Sequence, residues 1–365
     1  MRRFVVYAAR PAGHGARMRD EGAVTRPPLA ERWRRLLETA TRIPSPHNVQ
    51  PWRFRLLDET HAEIHIEKRR TLPEEDKLGS FIVLTMGILA EGLSLVAAHD
   101  GLLATVVPSQ DLNAFSAHAL RGLSEPFLHF ADLTLRPAPE LQPTVALDLF
   151  ASRQTSRLPY RDEPVANVDG DALAALAASY GHAYAQTKDR VRIERLLALN
   201  TQAVFADLNH PAFRNEMRGW LRYTEGQSRR VRDGLDARCM NVHPFELWFA
   251  FHLSPLLHWP ATRPWLARRY RAQIGPVATM GFLSGAFWDP HDAFPTGRFL
   301  LRFWLECARL GYCFQPYANL VTNRPTAEKV EAELGSRDIW LVFRIGRSPE
   351  APRSRRRSLE ELLLN

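Results

Sequence analysis

Pro44-Ser45-Pro46-His47-Asn48-Val49-Gln50-Pro51-Trp52 sets three prolines among four side chains that form hydrogen bonds. Each proline holds φ near about −65°, so the loop is stiff before anything meets it. Ser45, His47, Asn48 and Gln50 supply mixed donors and acceptors. Stiffness and alternating polarity suit a flat heterocycle whose edge alternates acceptors with an N–H, because aligned partners lose little entropy on binding. The plain alternative is a helix-to-strand connection whose polar groups bond their own backbone.

The apolar positions upstream, Leu29, Trp33, Leu36, Leu37, Ala40 and Ile43, follow helical spacing until Pro44 stops the run. Downstream, Trp52, Phe54 and Leu56 alternate with Arg53 and Arg55, and Ala62, Ile64 and Ile66 alternate with His61, Glu63, His65 and Glu67. That is the pattern of a half-buried hairpin. The row His61, Glu63, His65, Glu67 reads as a solvated strand face rather than a metal site. A long helix follows Asp76 through Ile82, Val83, Met86, Leu89, Ala90, Leu93 and Val96, apolar nearly all round and so central, with Gly101 free to cap it. Ala104 to Val107 and Ala131 to Arg136 add strands, and a first half ends near Pro143.

Residues Gly297 to Gly311 echo Gly87 to Gly101, with Leu305, Ala308 and Gly311 matching Leu95, Ala98 and Gly101. The chain therefore reads as two degenerate copies, residues 26–143 and 144–365, behind a basic arm at 1–25. Extra material at about 207–260 lies in the second copy. Its first part is highly charged, and its second, Pro244 to Leu253, is aromatic, either a core helix or a lid. Near the end, Ile339 to Ile345 is apolar on both faces, as in a buried strand, and a basic tail from Arg347 to Arg357 follows, with a short helix at Leu359 to Leu363.

The chain has 365 residues, 45% of them hydrophobic, enough for a large core. Its formal charge of +8 favours an anionic ligand without saying which. Three cysteines, Cys239, Cys307 and Cys313, with no CxxC pair, argue for a reducing cytoplasm over a disulfide framework. The best apolar run, Phe81 to Leu95, is broken by Glu91 and two glycines, so no membrane span is expected. The short apolar run after Arg2 and Arg3 does not make a secretory signal.

The opening loop resembles the P-S-x-x-N-x-Q-P-W loop of the nitroreductase family, in the P-S-x-H-N-x-Q-P-W form of its Acg-like branch. Arg153-Gln154-Thr155-Ser156-Arg157 resembles the family's R-x-S-x-R phosphate motif, with threonine for serine. Leu310-Gly311 and Pro316-Tyr317-Ala318-Asn319 lie where the family has an L-G helix end and a P-x-x-G-like loop, although the usual glutamate or glycine is absent. Arg353, Arg356 and Arg357 resemble its basic C-terminal segment. The resemblance implies an α+β nitroreductase-like fold, with two copies forming an intramolecular pseudo-dimer of antiparallel-rich sheets flanked by helices.

It further implies one FMN per chain, held by Ser45, Pro46, His47, Asn48 and Gln50 from the first copy. The second copy would supply Arg153, Thr155, Arg157, Pro316, Tyr317, Ala318, Asn319, Arg353, Arg356 and Arg357. NADH or NADPH would be the electron donor and an electron-poor small molecule the acceptor, with no side-chain catalyst. No dinucleotide-binding glycine fingerprint occurs, as expected when nicotinamide stacks on flavin. The protein would be a monomeric pseudo-dimer or a weak homodimer. Two rival readings are a flavin-sequestering protein with a lid, and a nucleic-acid-binding protein using its basic surface.

Overall fold

The computed structural model describes residues 29–108, 111–252 and 262–364. The basic arm at 1–25 and positions 253–260 of the insertion lie outside these. The helix Leu29–Ala40 buries Trp33, Leu36, Leu37 and Ala40 on one face, while Arg34, Arg35 and Glu38 lie outward. It leads through the Pro44–Pro51 loop into β1 (Trp52–Leu56). β1 pairs antiparallel with β2 (His61–Glu67), Phe54 lying opposite Ile64. Asp58 closes the turn by accepting from the Thr60 and His61 amides at 2.6 and 2.8 Å. β3 (Leu102–Pro108) and β4 (Phe127–Pro137) complete an antiparallel sheet of order β1-β2-β4-β3.

The second copy repeats this plan. After the helix Asn167–Ser179 comes β5 (Ala183–Thr187), and the insertion that follows contains a short parallel pair, β6 (Leu221–Arg222) with β7 (Leu235–Asp236). Then β8 (Met280–Ser284), β9 (Cys313–Pro316) and β10 (Ile339–Gly346) join β5 in the order β5-β8-β10-β9. In both sheets the four strands of a copy stand first, second, fourth, third, all antiparallel, with a long helix between second and third. The fold is α+β, and the faint repeat in the sequence is a repeat of topology. The insertion is larger than the sequence suggested: it fills the whole connection 188–279 between the first and second strands, where the first copy has only the tight turn 57–60.

The two long helices, Ser80–Ala98 and Pro290–Arg309, cross between the sheets. A Cβ on Gly87 would run into the Phe294 carbonyl, and one on Gly297 into the Leu84 carbonyl. Each copy thus offers its glycine to the equivalent carbonyl of the other, the self-complementary arrangement of a two-fold interface within one chain. Glu91, one turn on and buried, pairs with Arg298 at 2.8 Å and with Arg302 at 2.5 Å, locking the crossing on one side. One hydrophobic core runs through both copies, from Trp33 to Leu362.

Two expectations change. The helix Ser80–Ala98 runs unbroken through Glu91 and its glycines, and by length and composition alone it could cross a membrane. The second copy covers it instead, and the close glycine contact is part of that cover. The row His61 to Glu67 is solvated only at its start, since His65 and Glu67 are buried. No cluster of metal ligands occurs among the described residues.

Beyond β10 the tail returns to the first copy. The Arg357 amide donates to Gln50 Oε1 at 2.9 Å, and the short helix Leu359–Leu362 packs beside β1. The Leu364 amide then donates to the Phe54 carbonyl at 2.7 Å. The end of the second copy thereby extends the edge of the first copy's sheet.

Candidate functional site

The return of the tail closes a cavity of about 540 Å³. Most of its walls come from three places: the first helix and loop (Thr41, Arg42, Ser45, His47, Asn48), residues 150–157, and the tail from Pro352 to Leu362. Of the residues singled out in the sequence, Ser45, His47, Asn48, Arg153, Thr155, Arg157, Arg353, Arg356 and Arg357 line it together. The cavity lies within the range of size typical of small-molecule sites.

The loop owes its shape to strained backbone rather than to its prolines alone. His47, Asn48 and Gln50 have φ of 45°, 55° and 48°, the left-handed region that non-glycine residues seldom enter. Three such residues within four positions cost on the order of 1 kcal/mol or more each, and strain of this kind clusters at functional sites. The surroundings enforce it. Asn48 Nδ2 donates to the Arg355 carbonyl at 3.0 Å and to the Gly234 carbonyl at 3.3 Å, and Arg356 donates to Asn48 Oδ1 at 2.8 Å. Gln50 Nε2 donates to the Arg232 carbonyl at 2.9 Å. The two amides therefore bond the tail and the insertion; Gln50 itself does not line the cavity, nor does Pro46.

Pro316, Tyr317, Ala318 and Asn319 do not line it either. Tyr317 is buried beside Leu197, Leu320 and Val342, and Asn319 Nδ2 donates to the Asn200 carbonyl at 3.1 Å. The Tyr317 hydroxyl and Asn200 Oδ1 have no hydrogen-bond partner among the described residues. Residues 153–157 are irregular rather than a strand, yet Arg153, Thr155 and Arg157 still share the cavity wall, while Ser156 is buried and bonds Ser348 at 2.6 Å.

The cavity's charge is lopsided. No carboxylate of the described residues lies within ion-pair reach of Arg153, Arg157 or Arg356, whereas Arg357 has Glu67 at 3.4 Å. Burial, then the neighbouring Arg356 and Arg353, push the Arg153 guanidinium down to about 9. A guanidinium keeps its proton at neutral pH, so the crowding would be relieved by an anion rather than by deprotonation. Arg153 also lies over the Trp304 ring, 4.7 Å from its centre, which fixes its direction. Nε of Arg356 and of Arg357 is buried without a partner, and the Thr155 hydroxyl bonds no other described residue. This donor set fits a phosphate group.

Through Arg357 a second, largely buried network joins the cavity wall. Glu67 pairs with Arg53, Arg69, Arg70 and Arg357, and Asp233 with Arg70 at 2.8 Å and Arg222 at 2.6 Å. Burial pushes the Glu67 carboxyl up, but the guanidiniums outweigh it and hold it below its ordinary range. The network ties β1, the end of β2, the insertion and the tail together. Leu235 of the insertion reaches the cavity itself, and Asn241 Nδ2 donates to the Arg157 carbonyl at 3.4 Å. The covering part of the insertion is therefore the segment near β7. The aromatic helix Pro244–His252 buries Leu247 within the insertion's own small core and leaves Phe245 63% exposed, away from the cavity. Sequence reasoning included this segment in the insertion at about 207–260 but singled out Pro244 to Leu253 as the lid candidate, and it read Glu67 as part of a solvated strand face, since neither carries a motif.

No family model matches the chain. It is 29% identical over 194 residues to a protein of Mycobacterium tuberculosis (strain H37Rv) described as "Putative NAD(P)H nitroreductase Rv3131", and equally to its counterpart in strain CDC 1551. The match covers 53% of this chain, and the chain spans about half (52%) of the length of these curated relatives. Among solved structures it is similar to the FMN-dependent nitroreductase NfnB of Mycobacterium smegmatis in complex with NADPH, at 18% identity and a TM-score of 0.36, covering 59% of this chain and 94% of that one. A nitroreductase of Bacteroides fragilis with bound FMN gives 12% and 0.32, covering 58% and 92%. TM-scores of this size do not superimpose one site on another; the fold stands on the two sheets described above.

Proposed function

We propose that the chain binds FMN in this cavity and works as a nitroreductase-like oxidoreductase, taking electrons from NADH or NADPH and passing them to an electron-poor small molecule. On this reading the chain would belong to a two-copy, Acg-like branch of the family. One observation carries the reading: three arginines without counter-ions among the described residues face the strained loop of the other copy across a single cavity. The names of the mycobacterial relatives agree with it.

Arg153, Thr155, Arg157 and Arg356 would hold the phosphate, and Arg353 at the rim, weakly paired with Glu350 at 3.8 Å, would add to the field. Ser45, His47 and Asn48 present the polar wall nearest a ring system. Ser45 Oγ accepts from the Gln50 amide at 3.0 Å and keeps its proton to donate. Phe150, Leu235 and Leu362 supply apolar wall that excludes water. FMN, when bound, supplies the two-electron chemistry that no side chain here can provide.

The test is an absorption spectrum of the purified protein followed by titration with FMN. Arg153→Met and Arg157→Met should each weaken FMN by about tenfold or more, as expected when a charge-assisted phosphate contact is lost. Binding unchanged in both variants, or none by the parent protein, would remove the reading.

A second reading, flavin sequestration without turnover, is favoured by one feature. The amides of Asn48 and Gln50 are bound to the tail and the insertion, which cover the loop. Mixing FMN-loaded protein with NADPH separates the two: rapid bleaching near about 450 nm marks the enzyme and none marks sequestration.

A further inference from the structure

His47 and Glu75 form a pair for which binding alone gives no reason. The imidazole lines the cavity, its Nε2 is hydrogen-bonded to Glu75 Oε2, and its Nδ1 makes no bond to another described residue. The backbone at His47 is left-handed, with φ 45° and ψ 19°, a conformation the chain maintains at a cost. Glu75 is itself held: the carboxylate of Glu216, on the insertion helix Pro211–Trp220, accepts from the amides of Glu74 and Glu75 at 3.0 and 3.3 Å. A ring with one nitrogen open to a bound molecule, its other nitrogen oriented by a fixed carboxylate, is the arrangement of a side-chain acid or base with its orienting group.

We infer that His47 donates a proton to the molecule reduced in the cavity and that Glu75 is the residue positioning it, an inference that rests on the oxidoreductase reading above. FMN, when bound, would supply a hydride, an electron pair with one proton, and the electron-poor acceptor that received it would be left carrying negative charge. The His47 Nδ1–H bond breaks as the proton bonds to that charged atom. The imidazole is left neutral, with Nε2–H still donated to Glu75, and takes its proton back from water.

The groups facing the ring set its charge. Burial favours the neutral imidazole, but the charge and hydrogen bond of Glu75 outweigh it; Arg157 works against the cation and Glu216 for it, and the net effect lies above 6.5. Glu75, although burial pushes it up, is held below its ordinary range by His47. Both shifts favour the imidazolium beside a carboxylate.

Two variants test this without emptying the site. His47→Asn keeps a residue tolerant of the left-handed backbone, and Glu75→Gln keeps the shape and removes the charge. In the FMN-loaded parent, acceptor reduction should fall as pH rises through the His47 pKa. Measured at saturating FMN, His47→Asn should lose about a hundredfold or more at pH 7 and show no such fall. Independently of turnover, an NMR titration of the His47 ring should place its pKa above 6.5 in the parent and lower in Glu75→Gln. A His47→Asn profile matching the parent's, or a ring pKa that ignores Glu75→Gln, overturns the donor role while leaving the cofactor reading intact. Failure of the parent to bind FMN overturns both.

Discussion

At the scale of single residues, the loop from Ser45 to Gln50 shows what a motif conveys and what it conceals. Its prolines announced stiffness; its unusual backbone belongs to His47, Asn48 and Gln50. Nothing local predicts left-handed torsions at histidine or glutamine; around them, partners distant in the chain, Arg232, Gly234 and Arg355 to Arg357, accept from or donate to the side chains of Asn48 and Gln50, and Glu75 bonds His47. Asn48 is the pivot, with two donated bonds and one accepted. Asn48→Ala should lower stability by about 1–3 kcal/mol in urea unfolding, because buried carbonyls and a guanidinium lose their partner. The same variant should become cleavable by trypsin at Arg355 and Arg356, where the parent resists. Unaltered tail protection would show that the tail is held by its other contacts.

At the scale of elements, the crossing of Ser80–Ala98 with Pro290–Arg309 decides how the copies meet. Gly87 and Gly297 were visible as members of a weak repeat, but a repeat does not say that its members touch. The structure shows backbone against backbone at each. Interiors packed this closely do not absorb an added methyl group without movement. Gly87→Ala and Gly297→Ala should each cost about 1–3 kcal/mol or more, whereas Gly226→Ala, which meets nothing within 4 Å, should not. The double variant should cost less than the two singles added, since both open the same contact; strict additivity in urea unfolding would argue that the crossing gives way independently at its two glycines. The length of the Ser80–Ala98 helix and its central place were legible; that the long helix of the second copy is what covers it was not, because a repeat does not say where its members meet.

At the scale of the whole molecule, charge is the instructive quantity. The excess of arginine suggested an anionic partner, and several of the cations responsible stand inside, around the cavity and in the network joined to it, rather than in a surface stripe. Acidic groups are also displaced. Burial pushes Glu216 up to about 7, and Asp76 and Asp207 up to about 6. Such groups hold protons in the folded protein that the unfolded chain has released, so their contribution to stability declines as pH rises and is fully lost above about 7. His65 and His182, both depressed by burial, act in the opposite direction, so the overall slope mixes signs. A variant separates them. Relative to the parent, Glu216→Gln should gain stability between pH 5 and pH 8, read from urea midpoints at each pH. A gap that does not change with pH would mean that Glu216 titrates normally.

The sequence by itself determined the elements of the first copy, the last strand and a faint two-fold recurrence, because the periods of apolar residues and the positions of proline and glycine act over a few residues and need no partner. It also named most of the cations and the polar loop that share the cavity. Tertiary structure alone decided that the tail of the second copy would close a site on the first, that the amides of Asn48 and Gln50 would bond tail and insertion, and that Glu75 would stand at His47. Those outcomes depend on contacts between segments as many as three hundred positions apart, and no local pattern encodes a distance that only the packed core sets.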